Sequence, residues 1–211
     1  MDMIFSRSTM PRIPPNQPFP CLPAQPQEIR KQAAATTTLE NGLRVVSIDS
    51  QSPVSSVGVF IEAGSRNQRR DTPGIAHFLE YMAYGSSKNI PDYKIVRDLQ
   101  KMGVTFSSLA NREHTMYTAD TLREFVPNVL EIMGEVTQNP AFNDYELREN
   151  YGKYLSVLEE KASKPETSLT EAVHAVGFYE NTVGLPLYPT EDQLANFTQE
   201  ALSTYVKELF I

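Results

Sequence analysis

The stretch of residues 74–85, GIAHFLEYMAYG, constrains this chain more than any other part of its sequence. A Thr-Pro pair precedes it and a glycine ends it, which predicts one helix over these residues. Side chains three and four positions apart share one face of a helix, so His77, Glu80 and Tyr81 are expected to lie side by side. The helix would then present an imidazole, a carboxylate and a phenol as one group.

The spacing of this group is that of an inverted zinc-peptidase motif, His-x-x-Glu-His. In such a motif, two histidines bind the metal and the glutamate polarises a bound water. Tyr81 stands in this chain where the motif has its second histidine. The sequence therefore predicts the frame of a zinc site that has lost its metal.

Composition excludes several classes of function. The 211 residues suffice for one full-sized core or two small domains. The 19 basic and 26 acidic residues give a net charge of −7, which argues against nucleic acid as a main partner. Cys21 is the lone cysteine, so neither an internal disulfide framework nor a cysteine-based zinc cluster is expected. No apolar run approaches the roughly 18 residues of a transmembrane helix, so membrane contact is expected only through partners.

Residues 1–35 are predicted to form an extended, proline-rich N-terminal arm. Residues 11–26 hold seven of the 15 prolines, and proline fixes φ and removes a backbone donor. Two interpretations stay open, a free linker and an arm laid along a neighbouring subunit and anchored by Phe19 and Leu22. Residues 1–10 have a weak likeness to a mitochondrial presequence, and the alternative is a disordered tail.

Folded structure is predicted from residue 36 onwards. An Asn41-Gly42 pair between two β-prone runs indicates a hairpin with a type I′ turn, in which both central residues need a positive φ. Further strands are predicted at 54–63, 104–109 and 115–119. Further helices are predicted at 91–102, 122–138, 144–162, 165–179 and from 199 to the C-terminus. This order of elements predicts an α+β fold in which helices pack on one face of a mostly antiparallel sheet.

Apolar spacing also predicts which side chains share a helix face. The predicted face of the helix at 91–102 consists of Tyr93, Val96, Leu99 and Gln100. The face of the helix at 165–179 that is predicted to point inward consists of Leu169, Ala172, Val173 and Val176. The second set is therefore expected to belong to the core.

Several motifs together resemble the pitrilysin-like peptidases, the family with the inverted zinc motif. Within that family, the resemblance is to the mitochondrial processing peptidase subunits and the core proteins of the cytochrome bc1 complex. It rests on LENGLRVV at 39–46, EAGSR at 62–66, GIAHFLE at 74–80 and NREHT at 111–115. EAVHAVGFY at 171–179 and the stretch at 126–140 resemble the processing peptidase α subunit. The likeness covers about residues 36–211 and implies a pitrilysin-like N-terminal domain, one half of such a subunit.

The departures from this family concern the metal. Active members have a third zinc ligand, a glutamate on a later helix, and the matching position here holds Val157. A shifted register would offer Glu159 or Glu160, but these two residues match a similar acidic pair in the family. The vestigial site implied by the resemblance comprises His77, Glu80, Tyr81 and Val157. No bound metal, cofactor or catalytic residue is expected there.

The individual side chains of interest are expected to have structural roles. His77 is predicted to be a partly buried histidine that is hydrogen-bonded near Glu80. The other residues expected to be structural are Tyr81, Tyr84, His114 and His174, whereas Glu159-Glu160-Lys161 is expected to be a solvated helix face.

The resemblance implies a non-catalytic structural subunit, and more narrowly a split half-subunit, of the mitochondrial processing peptidase or bc1 core assembly. Its place would be the matrix side of the mitochondrial inner membrane. Implied partners are a catalytic β-type or core subunit, other bc1 subunits, and a separate chain that carries the missing C-terminal half and supplies the last strand of the sheet. One alternative is an active zinc metalloendopeptidase that cleaves mitochondrial presequences with His77, Glu80 and an unforeseen third ligand. Another is a free-standing presequence-binding module, against which the absent second half argues.

Overall fold

The structure is a computed structural model, and it describes residues 33–179 and 181–210. The chain divides into two compact units, residues 1–50 and residues 51–211, and each is described by itself. The predicted proline-rich arm falls almost entirely outside the described residues. In the second unit, helices pack on an antiparallel sheet, which confirms the α+β prediction.

The first unit contains a β-hairpin, as the Asn-Gly pair predicts. Strand β1 (Ala35–Thr38) pairs antiparallel with β2 (Arg44–Ser47). The prediction of a type I′ turn is wrong, because Gly42 has a φ of 88° whereas Asn41 has no positive φ. The Gly42 N–H donates to the Leu39 carbonyl, and the Asn41 Oδ1 accepts from the N–H two residues further on. The asparagine thus satisfies a donor within a longer loop, in which only glycine needs the left-handed region.

The second unit is built on a three-stranded antiparallel sheet with the strand order β3–β5–β4. Its strands are β3 (Val54–Ile61), β4 (Thr105–Ala110) and β5 (Thr115–Leu122). Along the central strand β5, buried residues alternate with more exposed ones, and Tyr117 and Ala119 belong to the core. One face of the sheet is therefore covered by helices and the other is not.

The described residues contain the following α-helices: α1 (Ile75–Tyr81), α2 (Asp92–Lys101), α3 (Val126–Gln138), α4 (Asp144–Ala162), α5 (Pro165–Phe178), α6 (Glu191–Leu194) and α7 (Gln199–Leu209). Helix α3 packs on β3 and β5, and α1 packs on β4. Phe78, Tyr154, Phe197 and Leu202 lie at the centre of the core with no exposed surface. Within the described part of the chain, no helix is long and apolar enough to cross a membrane.

Helix α1 is shorter than the helix predicted at 74–85. It ends at Tyr81, and residues 82–84 form turns. Tyr84 has a φ of 62°, and its hydroxyl donates to the Thr118 carbonyl of β5 at 3.1 Å. A residue in the left-handed region cannot continue a right-handed helix, so the segment that reaches the sheet through Tyr84 is no longer helical.

The buried faces of α2 and α5 differ from the predicted ones. Helix α2 buries Ile95 together with Leu99, whereas Tyr93 is 68% exposed, so the predicted face is wrong apart from Leu99. Helix α5 has no buried residue. The side chains predicted to point inward from α5 are all exposed, namely Leu169, Ala172, Val173 and Val176. Spacing along a helix identifies residues that share a face, but it does not say what packs against that face.

A segment at residues 182–190, called the strap below, lies against the start of α1. Gln68 joins the two, because its Nε2 donates to the Pro186 carbonyl at 2.7 Å and its Oε1 accepts from the Gly74 N–H at 2.8 Å. Gly74 has a φ of 82°, and a Cβ added there would lie 2.3 Å from the Pro189 Cδ. The strap therefore packs on bare backbone, at a position where only glycine fits.

We expect Gly74→Ala to destabilise the fold more than Gly103→Ala does. Both glycines have a positive φ, 82° and 65°, so alanine costs roughly 1–2 kcal/mol of backbone strain at either position. At Gly103 nothing lies within 4 Å of the added Cβ, whereas at Gly74 the overpacking against Pro189 adds roughly 1–3 kcal/mol. Denaturant unfolding of the two variants measures the difference. Equal losses of unfolding free energy would contradict the tight packing of the strap on Gly74.

Candidate functional site

His77 lies in the first turn of α1 and is 7% exposed. Its Nδ1 is 2.5 Å from the hydroxyl oxygen of Tyr154, which α4 places in the core. Tyr188 of the strap meets the imidazole edge-on, with 4.7 Å between ring centroids and 79° between ring planes. The Lys161 Nζ lies 5.7 Å from the centre of the Tyr188 ring, a cation–π geometry. Two tyrosines from distant parts of the chain therefore enclose this imidazole.

The surroundings of this pair keep both groups neutral. Burial, and to a smaller extent the positive charge of Lys161, lowers the pKa of His77 to about 4. Burial raises the pKa of Tyr154 well above its ordinary value, and the electrostatic effects of Glu80 and Tyr188 add to that shift. At neutral pH, the imidazole is therefore uncharged and the phenol keeps its proton.

Glu80 bonds to the edge of the sheet. Its Oε2 accepts from the Ala110 N–H of β4 at 2.8 Å, and its carbonyl accepts from the Ser108 hydroxyl at 3.0 Å. Burial raises the pKa of Glu80, and the Ala110 N–H and a nearby lysine oppose that shift. The sequence predicts a hydrogen bond of His77 near Glu80, but the partner of His77 is Tyr154. Glu80 instead ties α1 to β4.

The side chains on this face do not match the donors of a zinc site. Protein zinc is held by imidazole, thiolate and carboxylate groups, and a catalytic site needs three of them. At the two positions that the resemblance matches to further ligands, Tyr81 packs its ring on Tyr154 with centroids 5.3 Å apart, and the hydrocarbon side chain of Val157 packs against the core. Over residues 33–179 and 181–210, no three histidine, cysteine, aspartate or glutamate side chains converge. Among the residues of the predicted site, His77 supplies the only imidazole.

Tyr154 is the residue at this site that sequence reasoning missed. It lies three residues before Val157 on α4, so the two side chains share one face of that helix. A search for polar side chains one helical turn from the predicted ligand position at Val157 would have found it. Its hydroxyl reaches the His77 imidazole.

The other two histidines have local contacts. The Nε2 of His114 lies 3.1 Å from the Nδ2 of Asn111, in the loop between β4 and β5. The Nδ1–H of His174 donates to the Thr170 carbonyl one turn earlier on α5, at 2.8 Å. Neither lies with His77, so the structure brings no second imidazole to this site.

Arg112 holds the strap in place. Its Nη1 donates to the carbonyls of Val183 and Leu185 at 3.1 and 2.9 Å, and its Nη2 lies 2.5 Å from the Glu171 Oε1. The other carboxylate oxygen of Glu171 accepts from the Leu187 N–H at 3.0 Å. The arginine and glutamate side chains are 12% and 25% exposed. This nearly buried pair thus positions the backbone directly before the strap tyrosine that covers the imidazole.

We expect Arg112→Ala to lower the unfolding free energy by about 2 kcal/mol, because two strap carbonyls and a mostly buried carboxylate lose their partner. The matched control is Arg66→Ala, which removes the neighbouring pair with Glu113. That pair is 42% and 60% exposed, so its loss should cost only about 0–1 kcal/mol. Denaturant unfolding of both variants is the measurement. Equal effects would mean that Arg112 does not hold the strap.

Acidification is expected to destabilise the fold through His77. Its pKa in the folded chain is about 4, below the ordinary value of 6.5, so between these values the unfolded chain binds a proton that the folded chain does not. The unfolding free energy therefore falls as the pH drops from 6.5 to 4, by at most about 1.4 kcal/mol per pH unit, and this contribution is constant below pH 4. Unfolding of the wild type and of His77→Leu at several pH values isolates it, because all other groups are common to both. Parallel pH profiles would contradict a buried neutral imidazole.

Comparisons with known proteins identify the family. The family model described as Insulinase (Peptidase family M16) matches residues 44–191. The α subunit of the mitochondrial-processing peptidase of Solanum tuberosum is 34% identical over 186 residues, which are 88% of this chain and 37% of that protein. The corresponding rat α subunit is 31% identical over 97% of this chain and 40% of its own length. Subunit 2 of the rat cytochrome b-c1 complex is 29% identical over 98% of this chain and 44% of its own length.

A solved structure shows the same fold. The crystal structure of a protease from Helicobacter pylori matches with a TM-score of 0.74 over 85% of this chain and 44% of that chain, at 20% identity. The chain thus spans less than half the length of the relatives that it matches. The pitrilysin-like resemblance is confirmed by a family model that covers most of the chain, including the α1 motif and the strands around it. This chain belongs to peptidase family M16.

Proposed function

We propose that this chain is a non-catalytic structural subunit of a mitochondrial processing peptidase or bc1 core assembly. The observation that carries the proposal is the set of side chains around His77. Tyr81 and Val157 supply a phenol and a hydrocarbon at the positions where an active M16 peptidase needs two further ligands, and Tyr154 already engages the imidazole. A chain with one donor in place of three has no means of holding a catalytic metal tightly.

The proposed location and partners follow from the relatives. The relatives described above are named as subunits of the mitochondrial-processing peptidase and of the cytochrome b-c1 complex, and both are assemblies. We therefore place this chain on the matrix side of the mitochondrial inner membrane, beside a catalytic β-type or core subunit and other bc1 subunits. Relatives named as β subunits also match it, at 28% identity. A separate chain that carries a second half, and supplies the last strand of the sheet, stays a prediction.

The alternative is an active zinc endopeptidase that cleaves mitochondrial presequences. The observation in its favour is that His77 and Glu80, a ligand and the water-polarising base of the motif, are both present. In the structure, however, the Glu80 carboxylate accepts a backbone N–H of β4 and the imidazole is bonded to a phenol. Both groups therefore have hydrogen-bond partners within the fold that do not depend on a metal.

Zinc content and a single substitution distinguish the two functions. We expect the native assembly to contain no zinc that depends on His77, and Glu80→Gln to leave cleavage of presequence peptides unchanged. Glutamine keeps the oxygen that accepts the Ala110 N–H, so the fold and the assembly should survive the change. Glu159→Gln, an exposed α4 carboxylate, is the control for the loss of one negative charge.

Two results would overturn the proposal. One is a stoichiometric zinc in elemental analysis that disappears in His77→Ala. The other is a tenfold or larger fall in turnover with Glu80→Gln but not with Glu159→Gln, in an assembly that remains intact by size-exclusion chromatography.

A further inference from the structure

We infer that the Tyr154 hydroxyl occupies the free nitrogen of the His77 imidazole. The position at which the motif would hold a metal is then a hydrogen-bonded lock between α1 and α4, without a metal. The lock consists of the Tyr154 hydroxyl and the His77 imidazole, covered by the ring of Tyr188. This inference rests on the proposed function, because it assumes that no metal occupies the site. It goes further by assigning His77 and Tyr154 a structural role, which is to join α1 to α4.

The direction of the hydrogen bond follows from the needs of the phenol. Tyr154 is fully buried, and its hydroxyl lies 2.5 Å from the His77 Nδ1. A buried O–H that finds no acceptor costs about 1–3 kcal/mol, and the imidazole nitrogen is the acceptor within reach. The phenol therefore donates to Nδ1, and the neutral imidazole carries its own proton on Nε2.

This arrangement excludes a metal for a chemical reason. A neutral imidazole has one nitrogen with a free lone pair, and Tyr154 uses it. To bind a metal through Nε2, His77 would have to move its proton to Nδ1, and Tyr154 would then lose the acceptor for its buried hydroxyl. Metal binding by histidine is normally supported by an acceptor on the other ring N–H, such as a carboxylate or a backbone carbonyl. Here the neighbour is a donor, which favours the opposite tautomer.

The groups around the lock reinforce it. Aromatic rings surround the pair, with Phe78 and Tyr81 on Tyr154 and Tyr188 on His77. The two charged side chains nearby contact other groups. Glu80 accepts the Ala110 N–H, and Lys161 lies over the ring of Tyr188. Two uncharged partners enclosed by rings form a hydrogen bond that is worth more than in water. The lock therefore joins two helices that a shared metal would otherwise have joined.

A double-mutant cycle with His77→Leu and Tyr154→Phe tests the lock. In the wild type, Tyr154→Phe removes the donor to His77, and we expect the unfolded-to-folded ratio to rise about 5-fold to 30-fold. In the His77→Leu background, the Tyr154 hydroxyl is already orphaned, so Tyr154→Phe should leave that ratio unchanged or lower it. The destabilising effect of Tyr154→Phe should therefore vanish or reverse in the His77→Leu background. An equal effect of Tyr154→Phe in both would overturn the lock.

Tyr151→Phe is the matched control. Tyr151 lies on the same helix one turn earlier, is also packed on Phe78, and donates its hydroxyl to the Phe197 carbonyl without contacting His77. Its effect on unfolding should be the same with and without His77. A sign change with Tyr151→Phe as well would show that the His77 variant disturbs the whole helix, and would also overturn the lock.

Nitrogen-15 NMR of the imidazoles provides a second readout, because it reports which nitrogen of His77 is protonated in the folded chain. The chain has 3 histidines, so the His77 signals can be assigned by comparison. We expect His77 to carry its proton on Nε2 and its Nδ1 chemical shift to change in Tyr154→Phe. One equivalent of added zinc should leave the His77 signals unchanged. A proton on Nδ1 without any response to zinc would overturn the lock and leave the proposed function standing. A His77 signal displaced by zinc would overturn the proposed function and the lock together.

Discussion

The polar side chains that α1 carries into the core must each find a hydrogen-bond partner there, and much of the surrounding structure meets this requirement. The helix packs on β4, and its side chains contact α4, so His77 is buried and Glu80 is partly so. A buried polar group that lacks a hydrogen bond would lower the free energy of unfolding by a substantial part of a typical domain's total. Tyr154 of α4 satisfies the imidazole and the Ala110 N–H of β4 satisfies the carboxylate. The two bonds fix α1 against elements on both of its sides.

The same requirement explains how the strap is ordered although its regular secondary structure is limited to a single 3₁₀ turn at Thr182–Gly184. Its backbone carbonyls have no strand or long helix to pair with, so side chains from other elements take their place. Arg112 donates hydrogen bonds to two of these carbonyls and Gln68 to a third, and Glu171 accepts a hydrogen bond from one of the backbone N–H groups. Gly74 lets the strap approach the start of α1 closely enough for these contacts. The strap tyrosine then reaches the imidazole as a consequence of the way its backbone is held.

Under the proposed function, packing of side chains in the core holds this M16 fold together without a bound metal. The family model matches most of the chain, and the core around Phe78, Tyr154 and Phe197 is made of aromatic and aliphatic contacts. A site that loses ligands must still satisfy the groups that remain. Under the proposed function, His77 and Glu80 persist in this chain as structural donors and acceptors. Their retention is then explained by burial, and catalysis is not required.

The sequence by itself determined the fold class and the order of the main elements, because strand alternation, helix spacing and turn residues are local properties. It predicted His77, Glu80 and Tyr81 on one face of a helix, and the family resemblance added the prediction that Val157 stands at a ligand position. Only the tertiary structure decided which partner each group meets. It ended α1 at Tyr81, brought Tyr154 and Tyr188 to the imidazole, and left the apolar face of α5 exposed. These outcomes depend on contacts between residues far apart in the chain, and local spacing carries no information about what lies on the other side of a helix face.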